Sequence, residues 1–305
     1  MLLQHFARMF HTTRIAFANV EKGALAALRK NTGYTFANCK KALELHNNDI
    51  KLAEMWLHEQ AQNLGWSKAT KLEGRTTAQG LVGVLTRGNI GAMVEINCET
   101  DFVARNDNFK VFLNQAVRVC AKYTEMTGFD GDFWKLGFEG GALKNLKAND
   151  GKTLGDHLAL LIGSVGENVS FKRAVCFKAN KELTIAGYAH PAPATTTPTR
   201  NTTQVGKYGT LVALRGGLID EELQKNLCQH IIGLSPKKIG EAGKDEPMAN
   251  RDDETCLIYQ EYLIDEEKTV GDVLKEQSVT IVDFHRFECG EIAKNHILEE
   301  AKLSN

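Results

Sequence analysis

The chain has 305 residues, of which 43% are hydrophobic and 25% are charged, a composition typical of a globular protein with two or three compact units. No apolar run approaches the roughly 20 residues that cross a bilayer, so an integral membrane protein is not expected. The formal net charge of −1 conceals an acidic end, since residues 216–305 carry 10 Lys and Arg against 20 Asp and Glu. Nucleic-acid binders are usually basic, so no nucleic acid is expected as a partner.

The first twenty residues differ from the rest of the chain. Arg8 and Arg14 are their only formal charges, and no acidic residue precedes Glu21. An Arg-bearing, acid-free and amphipathic start is typical of a mitochondrial transit peptide. A frayed terminus or a weak secretory signal is the alternative, although the apolar core of a secretory signal is missing. We therefore predict a transit peptide over residues 1–20 and a location in the mitochondrial matrix.

Residues 21–66 are predicted to form a small module of three helices. Helical spacing predicts the first helix over 24–30 and the second over 36–45. Asp49 caps a third helix, whose apolar face consists of Ile50, Ala53, Leu57, Ala61 and Leu64. Three short helices are marginally stable alone, so this module is expected to dock on a larger body or on a partner. The polar residues 67–80 are interpreted as a connector.

A β-hairpin is predicted after the connector. Residues 81–86 and 92–98 have the apolar character of strands, and the turn between them contains Gly88 and Asn89, which tolerate positive φ. A helix is predicted to follow, with an apolar face formed by Phe109, Phe112, Leu113, Ala116, Val117 and Cys120. This face is complete without the residues that precede the helix.

Phe102 lies at the start of that helix, in the stretch Glu99-Thr100-Asp101-Phe102-Val103-Ala104-Arg105. Because the helix can bury itself without Phe102, the aromatic side chain is a candidate for a contact outside the core. The alternative is that Thr100 or Asp101 caps the helix and that Phe102 packs locally as a hydrophobic staple.

The remaining pattern suggests two similar halves. A region rich in Gly and aromatics after residue 128 is less regular, and a helix over 154–165 and a strand over 169–177 follow it. The second half contains strands at 185–190, 208–214 and 279–289 and helices at 220–232 and 269–277. The plan predicts an α+β protein with antiparallel strands, in which subdomain N (81–190) and subdomain C (205–305) are joined by a Pro/Thr-rich loop (191–204).

The seven cysteines contain no CxxC pair and fall mostly in apolar segments, so they are expected to be reduced and buried rather than disulfide-bonded or bound to zinc. No catalytic or phosphate-binding motif is present, and His190, His230 and His285 are isolated on apolar elements. We therefore expect no enzyme activity, no catalytic or metal-binding residues, no cofactor and no direct nucleotide binding.

Several segments resemble one known family. The string Glu99 to Arg105, preceded by a strand and Asn97-Cys98, resembles the signature of elongation factor Ts, the guanine-nucleotide exchange factor of the translation factor Tu. Residues 28–33 and 39–43 resemble the family's other signature, in its ubiquitin-associated-like N-terminal module. Further matching segments are 166–169 with Lys172-Arg173, 220–223, 268–271 and 286–291. The resemblance covers nearly the full chain after residue 20.

Three departures from the family pattern stand out. Tyr34 and Thr35 occupy positions where the family usually has small residues, and the Pro/Thr-rich loop looks like an insertion. Residues 245–267 are too few for the protruding coiled coil of bacterial members, so self-association through that coiled coil is not expected. A mitochondrial member fits best.

The resemblance implies a guanine-nucleotide exchange factor for mitochondrial elongation factor Tu, bound as a 1:1 heterodimer. In that scheme Phe102 wedges between two helices of the partner's G domain, and Asp101 disturbs its magnesium site. The implied partner-binding residues are Thr100, Asp101, Phe102, Val103, Arg29, Phe36, Ala37 and His230. His230 matches a position linked to the partner's phosphate loop, whereas a neighbouring family histidine is Asn226 here. The alternative for Phe36 is a position that is partly in the core of the module.

Two other function classes remain open from the residues alone. A ubiquitin-associated-like adaptor that binds another protein or RNA would depend on the helices before Gly65 and would tolerate changes at Asp101 and Phe102. Cysteine-based catalysis through Cys98 would require an exposed thiol and a nearby base.

Overall fold

A computed structural model describes residues 20–32, 34–191, 201–217 and 219–291. The predicted transit peptide, apart from Val20, and most of the Pro/Thr-rich loop lie outside these residues. The chain divides into two compact units, one up to Asn63 and one from Leu64 onward. None of the helices in the described ranges combines the length and hydropathy of a membrane span.

The first unit contains α1 (Lys22–Thr32), α2 (Phe36–Leu45) and the start of α3 (Ile50–Leu72). The prediction of three helices is confirmed, and Asp49 caps α3 by accepting a hydrogen bond from the Leu52 amide at 3.0 Å. However, α3 runs to Leu72, beyond the predicted end near Gly65. Residues 66–72 are mostly good helix formers, and Ala69 and Leu72 pack on the core of the second unit.

The second unit begins with a five-stranded antiparallel sheet in the order β3-β4-β2-β1-β6. Its strands are β1 (Gln79–Arg87), β2 (Ile90–Cys98), β3 (Phe133–Glu139), β4 (Val169–Ala179) and β6 (Gln204–Gly206). Its helices are α4 (Asp101–Arg105), α5 (Asp107–Met126), α6 (Gly140–Leu143) and α7 (Leu154–Val165). The β1–β2 hairpin, α5 and α7 were all predicted.

The sequence did not predict β3. Residues 133–139 lack a clear alternation of apolar and polar side chains, because Phe133, Trp134, Leu136 and Phe138 occupy both faces. The segment becomes a strand by pairing along β4 at the edge of the sheet. Its state is therefore decided by a strand more than thirty residues away in sequence.

A second sheet has the order β10-β7-β5. Its strands are β5 (Leu183–His190), β7 (Tyr208–Arg215) and β10 (Thr280–Glu288), and its helices are α8 (Glu221–Leu234) and α9 (Val270–Glu276). All pairs in it are antiparallel, and β10-β7-β5 reproduces the order β4-β2-β1 of the first half. The predicted repeat of an α+β unit is thus confirmed.

The second unit is built in four layers. α5 and α7 pack on one face of the five-stranded sheet, and α8 and α9 pack on the outer face of the three-stranded sheet. The two sheets face each other across a core that includes Val84, Met93, Phe177, Leu211 and Phe287. Glycines allow this close contact, because a Cβ at Gly187 or Gly209 would lie within 2.9 Å of side chains on β1.

Residues 245–267 form no helical protrusion. They contain two short 3₁₀ turns and the hairpin β8 (Glu261–Tyr262) and β9 (Asp265–Thr269). The expectation that this segment is too short for a coiled coil is confirmed. The predicted burial of the cysteines is confirmed for six of the seven, and Cys289 is partly exposed.

Candidate partner-binding surface

The stretch after β2 forms a sharp turn into the single-turn helix α4. Thr100 is extended at the N-cap, and its hydroxyl accepts a hydrogen bond from the Val103 amide at 3.4 Å. Val103 and Ala104 are buried in the core beneath α5. Because successive helical residues are about 100° apart, burying these two side chains turns the preceding residue toward solvent.

Phe102 is that preceding residue, and 79% of it is exposed. The capping part of the alternative hypothesis is confirmed, since Thr100 is the N-cap, but the hydrophobic staple is wrong because Phe102 is largely solvent-accessible. Aromatic side chains of this size bury large areas in cores and interfaces. An exposed phenylalanine on an ordered turn is consequently the strongest candidate for a binding contact in the second unit.

Two glutamates hold the turn in place. The Glu167 carboxylate accepts hydrogen bonds from the Thr100 amide at 3.1 Å and from the Thr100 hydroxyl at 2.9 Å. In the opposite direction, the Glu99 carboxylate accepts a hydrogen bond from the Asn168 amide at 2.7 Å. The turn after β2 and the turn after α7 therefore fasten each other, although 67 positions separate Thr100 from Glu167.

Replacing Glu167 by alanine is expected to loosen this turn. The variant leaves the Thr100 amide and hydroxyl without their charged acceptor, which should lower the free energy of unfolding by about 1–3 kcal/mol. Glu167→Gln is the matched control, because its amide oxygen can still accept one of these hydrogen bonds. In denaturant unfolding, the free energy of unfolding should be highest for the parent, lower for the Gln variant and lowest for the Ala variant. An Ala variant that is as stable as the parent would contradict the role of Glu167 in holding this turn.

Asp101 and Arg105 form an exposed ion pair on the outer side of α4, with Nη2 and Oδ2 2.8 Å apart. About three quarters of the Arg105 side chain is accessible, at 77%. Exposed pairs of this kind contribute only about 0–1 kcal/mol, so the Asp101 carboxylate can exchange its partner at low cost.

Cys98 is not suited to catalysis. Its side chain is buried, and its thiol donates to the Thr100 carbonyl at 3.1 Å. Burial, with the nearby Glu167 charge as a smaller cause, raises the pKa of Cys98 to about 11. The thiolate required by the cysteine-catalysis hypothesis is thereby disfavoured.

The other predicted contacts in the first unit flank the α1–α2 turn. Arg29 lies in the last turn of α1, and Phe36 and Ala37 open α2. All three are exposed, and Phe36 is 54% accessible, so most of its ring lies outside the core.

Tyr34 and Thr35, which depart from the family pattern beside these residues, both support the fold of the first unit. Tyr34 is buried, and its ring packs edge-on against His58 with 5.9 Å between centroids. Burial raises the pKa of the Tyr34 hydroxyl to about 12. Thr35 caps α2 by accepting a hydrogen bond from the Asn38 amide at 3.3 Å. Tyr34 therefore belongs to the core and Thr35 to the helix cap.

Val103 and His230 do not lie on the surface. Val103 is 8% exposed and His230 is fully buried, so neither side chain can touch a partner without a rearrangement. Sequence alone could not separate them from surface residues, because no local pattern shows which face of the helix meets the core. Val103 fixes α4 to the core, and His230 holds the β8–β9 hairpin.

His230 fastens the β8–β9 hairpin to α8. Its Nδ1 accepts a hydrogen bond from the Leu263 amide at 3.2 Å, which leaves the proton on Nε2 to be donated to Gln260 Oε1 at 3.1 Å. The ring also stacks on Tyr262 with 6.0 Å between centroids. His230 is thus a neutral imidazole with both nitrogens satisfied.

This arrangement predicts a pH-dependent stability. Burial lowers the pKa of His230 below its ordinary value of 6.5. The unfolded chain therefore binds a proton at this histidine more readily than the folded chain, and the free energy of unfolding should fall as pH drops below 6.5 toward the folded pKa.

Denaturant unfolding at a pH above and a pH below 6.5 would measure this effect. A His230→Gln variant should lose less stability on acidification than the parent. Equal losses in the parent and the His230 variant would contradict the assignment.

Sequence reasoning missed two parts of this surface. Glu167 matched the family pattern but had no assigned role, because its contact with Thr100 is visible only in three dimensions. Leu263 and Ile264 are exposed at the turn of the β8–β9 hairpin. The sequence feature that could have revealed them is a pair of adjacent apolar residues inside an acidic segment. In the described residues, no three His, Cys, Asp or Glu side chains converge as a candidate metal site.

Comparison with known proteins identifies the family. A family model described as elongation factor Ts, mitochondrial, N-terminal matches residues 7–67, and one described as elongation factor TS matches 99–253 and 247–291. The chain is 62% identical to mitochondrial elongation factor Ts of Drosophila melanogaster, over 95% of this chain and 94% of that protein. It is 55% identical to the Aedes aegypti protein of that name, over 91% of both chains, and 39% identical to the human one, over 91% of this chain and 86% of that protein. The chain therefore belongs to the mitochondrial elongation factor Ts family of translation elongation factors.

Proposed function

We propose that the chain is the guanine-nucleotide exchange factor of mitochondrial elongation factor Tu and that Phe102 is the group that drives GDP release. The observation that carries this proposal is the 79% exposure of Phe102 on a turn whose backbone is fastened by Glu167. A fixed aromatic side chain can enter a partner without the entropy cost of ordering a loop.

Exchange by a binding protein requires no catalytic group. A factor that binds the nucleotide-free partner better than the GDP complex must weaken GDP binding by the same ratio. The strongest contacts should therefore form only when the nucleotide site is deformed. A buried aromatic anchor contributes a few kcal/mol, and about 3 kcal/mol of coupling would weaken GDP binding on the order of a hundredfold.

Asp101 is proposed to act beside Phe102 by disturbing the groups around the partner's magnesium ion. Its exposed pairing with Arg105 supports this role, since a weak surface ion pair releases the carboxylate readily. Thr100 and Val103 position these two residues, as N-cap and core anchor.

Other parts of the chain would supply affinity. Arg29, Phe36 and Ala37 are proposed to form a contact of the first unit with the partner's G domain, because all three are exposed around one turn. We further propose a 1:1 complex in the mitochondrial matrix, formed after the removal of residues 1–20. The mitochondrial names of the relatives support this location.

The test is the release of fluorescent GDP from mitochondrial elongation factor Tu. The chain from Glu21 onward, present in less than stoichiometric amount, should accelerate release well above the intrinsic rate. Failure to accelerate release by an intact, folded chain would overturn the proposal. It would favour the adaptor hypothesis, for which the exposed Phe36 is the supporting observation.

A further inference from the structure

The connector between α3 and β1 (residues 73–78) ends beside the turn that carries Phe102. β1 begins at Gln79, which pairs with Cys98 at the end of β2. The Phe102 turn (residues 99–103) follows Cys98 directly. The connector and the turn therefore meet at one end of the first sheet.

Asn168 joins the connector to the Phe102 turn. Its backbone amide donates a hydrogen bond to Glu99 Oε1 at 2.7 Å, and its side-chain Nδ2 donates to the Arg75 carbonyl at 2.9 Å. Because a carbonyl oxygen can only accept, this contact fixes which end of the side-chain amide faces the connector. One residue thus holds the turn through its main chain and the connector through its side chain.

The local structure places Asn168 at this junction. Gly166 ends α7 with a positive φ of 79°, which turns the chain toward the sheet. Val169 then opens β4 opposite Cys98, so the residue before it lies beside Glu99. Asn168 is only 8% exposed, and its side chain therefore lies inside the junction and not on the surface that would meet a partner.

Two further contacts hold the connector. Arg75 Nη1 lies 3.5 Å from Glu99 Oε2, but 59% of the arginine side chain is exposed, and ion pairs this exposed add little stability. The Thr77 and Ser170 hydroxyl oxygens, 3.0 Å apart, tie the connector to β4 and not to the Phe102 turn. Asn168 is therefore the buried link between the connector and the turn.

Packing leaves one side of the connector open. Leu72, just before the connector, packs on the core of the second unit. Arg75 and Thr77, in contrast, line a cleft of about 290 Å³ between the end of α3 and α7. Van der Waals contacts are lost wherever a segment faces open space, so the position of the connector depends on its hydrogen bonds.

Resting on the proposed function, we propose that Asn168 is a positioning residue for GDP release, which fastens the Phe102 turn to the connector and thereby sets the maximum exchange rate without touching elongation factor Tu. Phe102 can deform a partner only if its own turn resists the same force. Glu167 holds the Thr100 side of that turn, and Asn168 holds the Glu99 side. A displacement of about 1 Å at such a contact can cost on the order of a hundredfold in rate.

Asparagine suits this position. Its side chain provides a donor without a charge, at a junction where Glu99 and Glu167 already supply two carboxylates. An aspartate of nearly the same shape could not donate to the Arg75 carbonyl, and it would add a third negative charge.

The test introduces Asn168→Asp into the full chain and measures GDP release from elongation factor Tu over a range of factor concentrations. The rate at saturation should fall about tenfold, since a buried carbonyl loses its donor and the turn loosens. The concentration that gives half of the maximum rate should change by less than about twofold, because Asn168 does not contact the partner. Asn168→Ala, which removes the donor without adding a charge, should give the same pattern and serves if the aspartate variant does not fold.

A double-mutant cycle separates positioning from a general loss of structure. In a chain that already carries Phe102→Ala, the Asn168 substitution should cause no further loss of rate, because it acts only through the Phe102 turn. The same fold-loss in both backgrounds would overturn the inference. A folded Asn168 variant with the parental rate at saturation would also overturn it.

Hydrogen exchange gives a readout that does not depend on the partner. The amides of Thr100 and Val103 should exchange faster in the Asn168 variant than in the parent, since the turn opens more readily. Parental exchange at both amides would show that Asn168 does not hold the turn and would overturn the inference.

Asn180→Asp is the matched control. Asn180 lies just beyond the opposite end of β4, and its Nδ2 also donates a hydrogen bond, to Asp132 Oδ1 at 2.9 Å. The same substitution there should leave the rate, the half-saturation and the exchange of the Phe102 turn unchanged. A loss of rate as large as that of Asn168→Asp would overturn the inference. A parent chain that fails to accelerate GDP release would instead overturn the proposed function, so the two failures are distinguishable.

Discussion

Phe102→Ala is expected to lower the maximum rate of GDP release from elongation factor Tu by on the order of a hundredfold, because a buried aromatic anchor contributes about 3 kcal/mol. The side chain is 79% exposed in the free chain, so its loss removes little from the core. Stopped-flow release of fluorescent GDP at saturating factor measures this effect. Thermal unfolding should be almost unchanged.

Met126→Ala is the control for Phe102, since it removes an equally exposed apolar side chain from the far end of α5. It should retain the parental rate. A Phe102 variant that releases GDP as fast as the parent at saturation would contradict the wedge, even if its affinity were reduced.

Arg173→Met is expected to cause the largest loss of stability. Arg173 on β4 is the ion-pair partner of Glu95 on β2, whose side chain is 0% exposed, with Nε and Oε2 2.7 Å apart. The methionine leaves a buried carboxylate without its countercharge, which should cost about 3–5 kcal/mol. Denaturant unfolding measures the difference.

The same pair connects the two halves of the second unit. Glu95 also accepts a hydrogen bond from the Gly290 amide at 2.8 Å, and Arg173 donates to the Glu288 carbonyl at 3.2 Å. The control is Arg215→Met, which breaks a half-exposed pair with Asp132 and should cost at most about 1 kcal/mol. Equal losses in the two variants would show that burial of Glu95 does not govern this effect.

Local patterns predicted much of the fold. α2 and α7 begin and end where the sequence predicted, and the structure adds that Thr35 and Thr153 cap them through their own side chains. β3 and the end of α3 were not predicted because tertiary contacts decide them. β3 depends on β4, and the last turns of α3 depend on the core of the second unit.

Parts of the candidate site could also be predicted from local patterns, and other parts could not. The exposure of Phe102 followed from a helix that was complete without it, and Thr100 had the chemistry of a cap. The burial of Val103 and His230 did not follow, because no local pattern shows which face of a short element meets the core. The bracing of Thr100 by Glu167 was also invisible, since it joins residues 67 positions apart.

The most direct test of the account is the affinity of the chain for nucleotide-free and for GDP-bound elongation factor Tu, measured with the same preparation. The account predicts that the nucleotide-free form binds roughly a hundredfold more tightly, and that the chain weakens GDP binding by the same factor. In the Phe102→Ala variant this ratio should approach one. Equal affinities of the parent chain for the two forms would contradict exchange by differential binding.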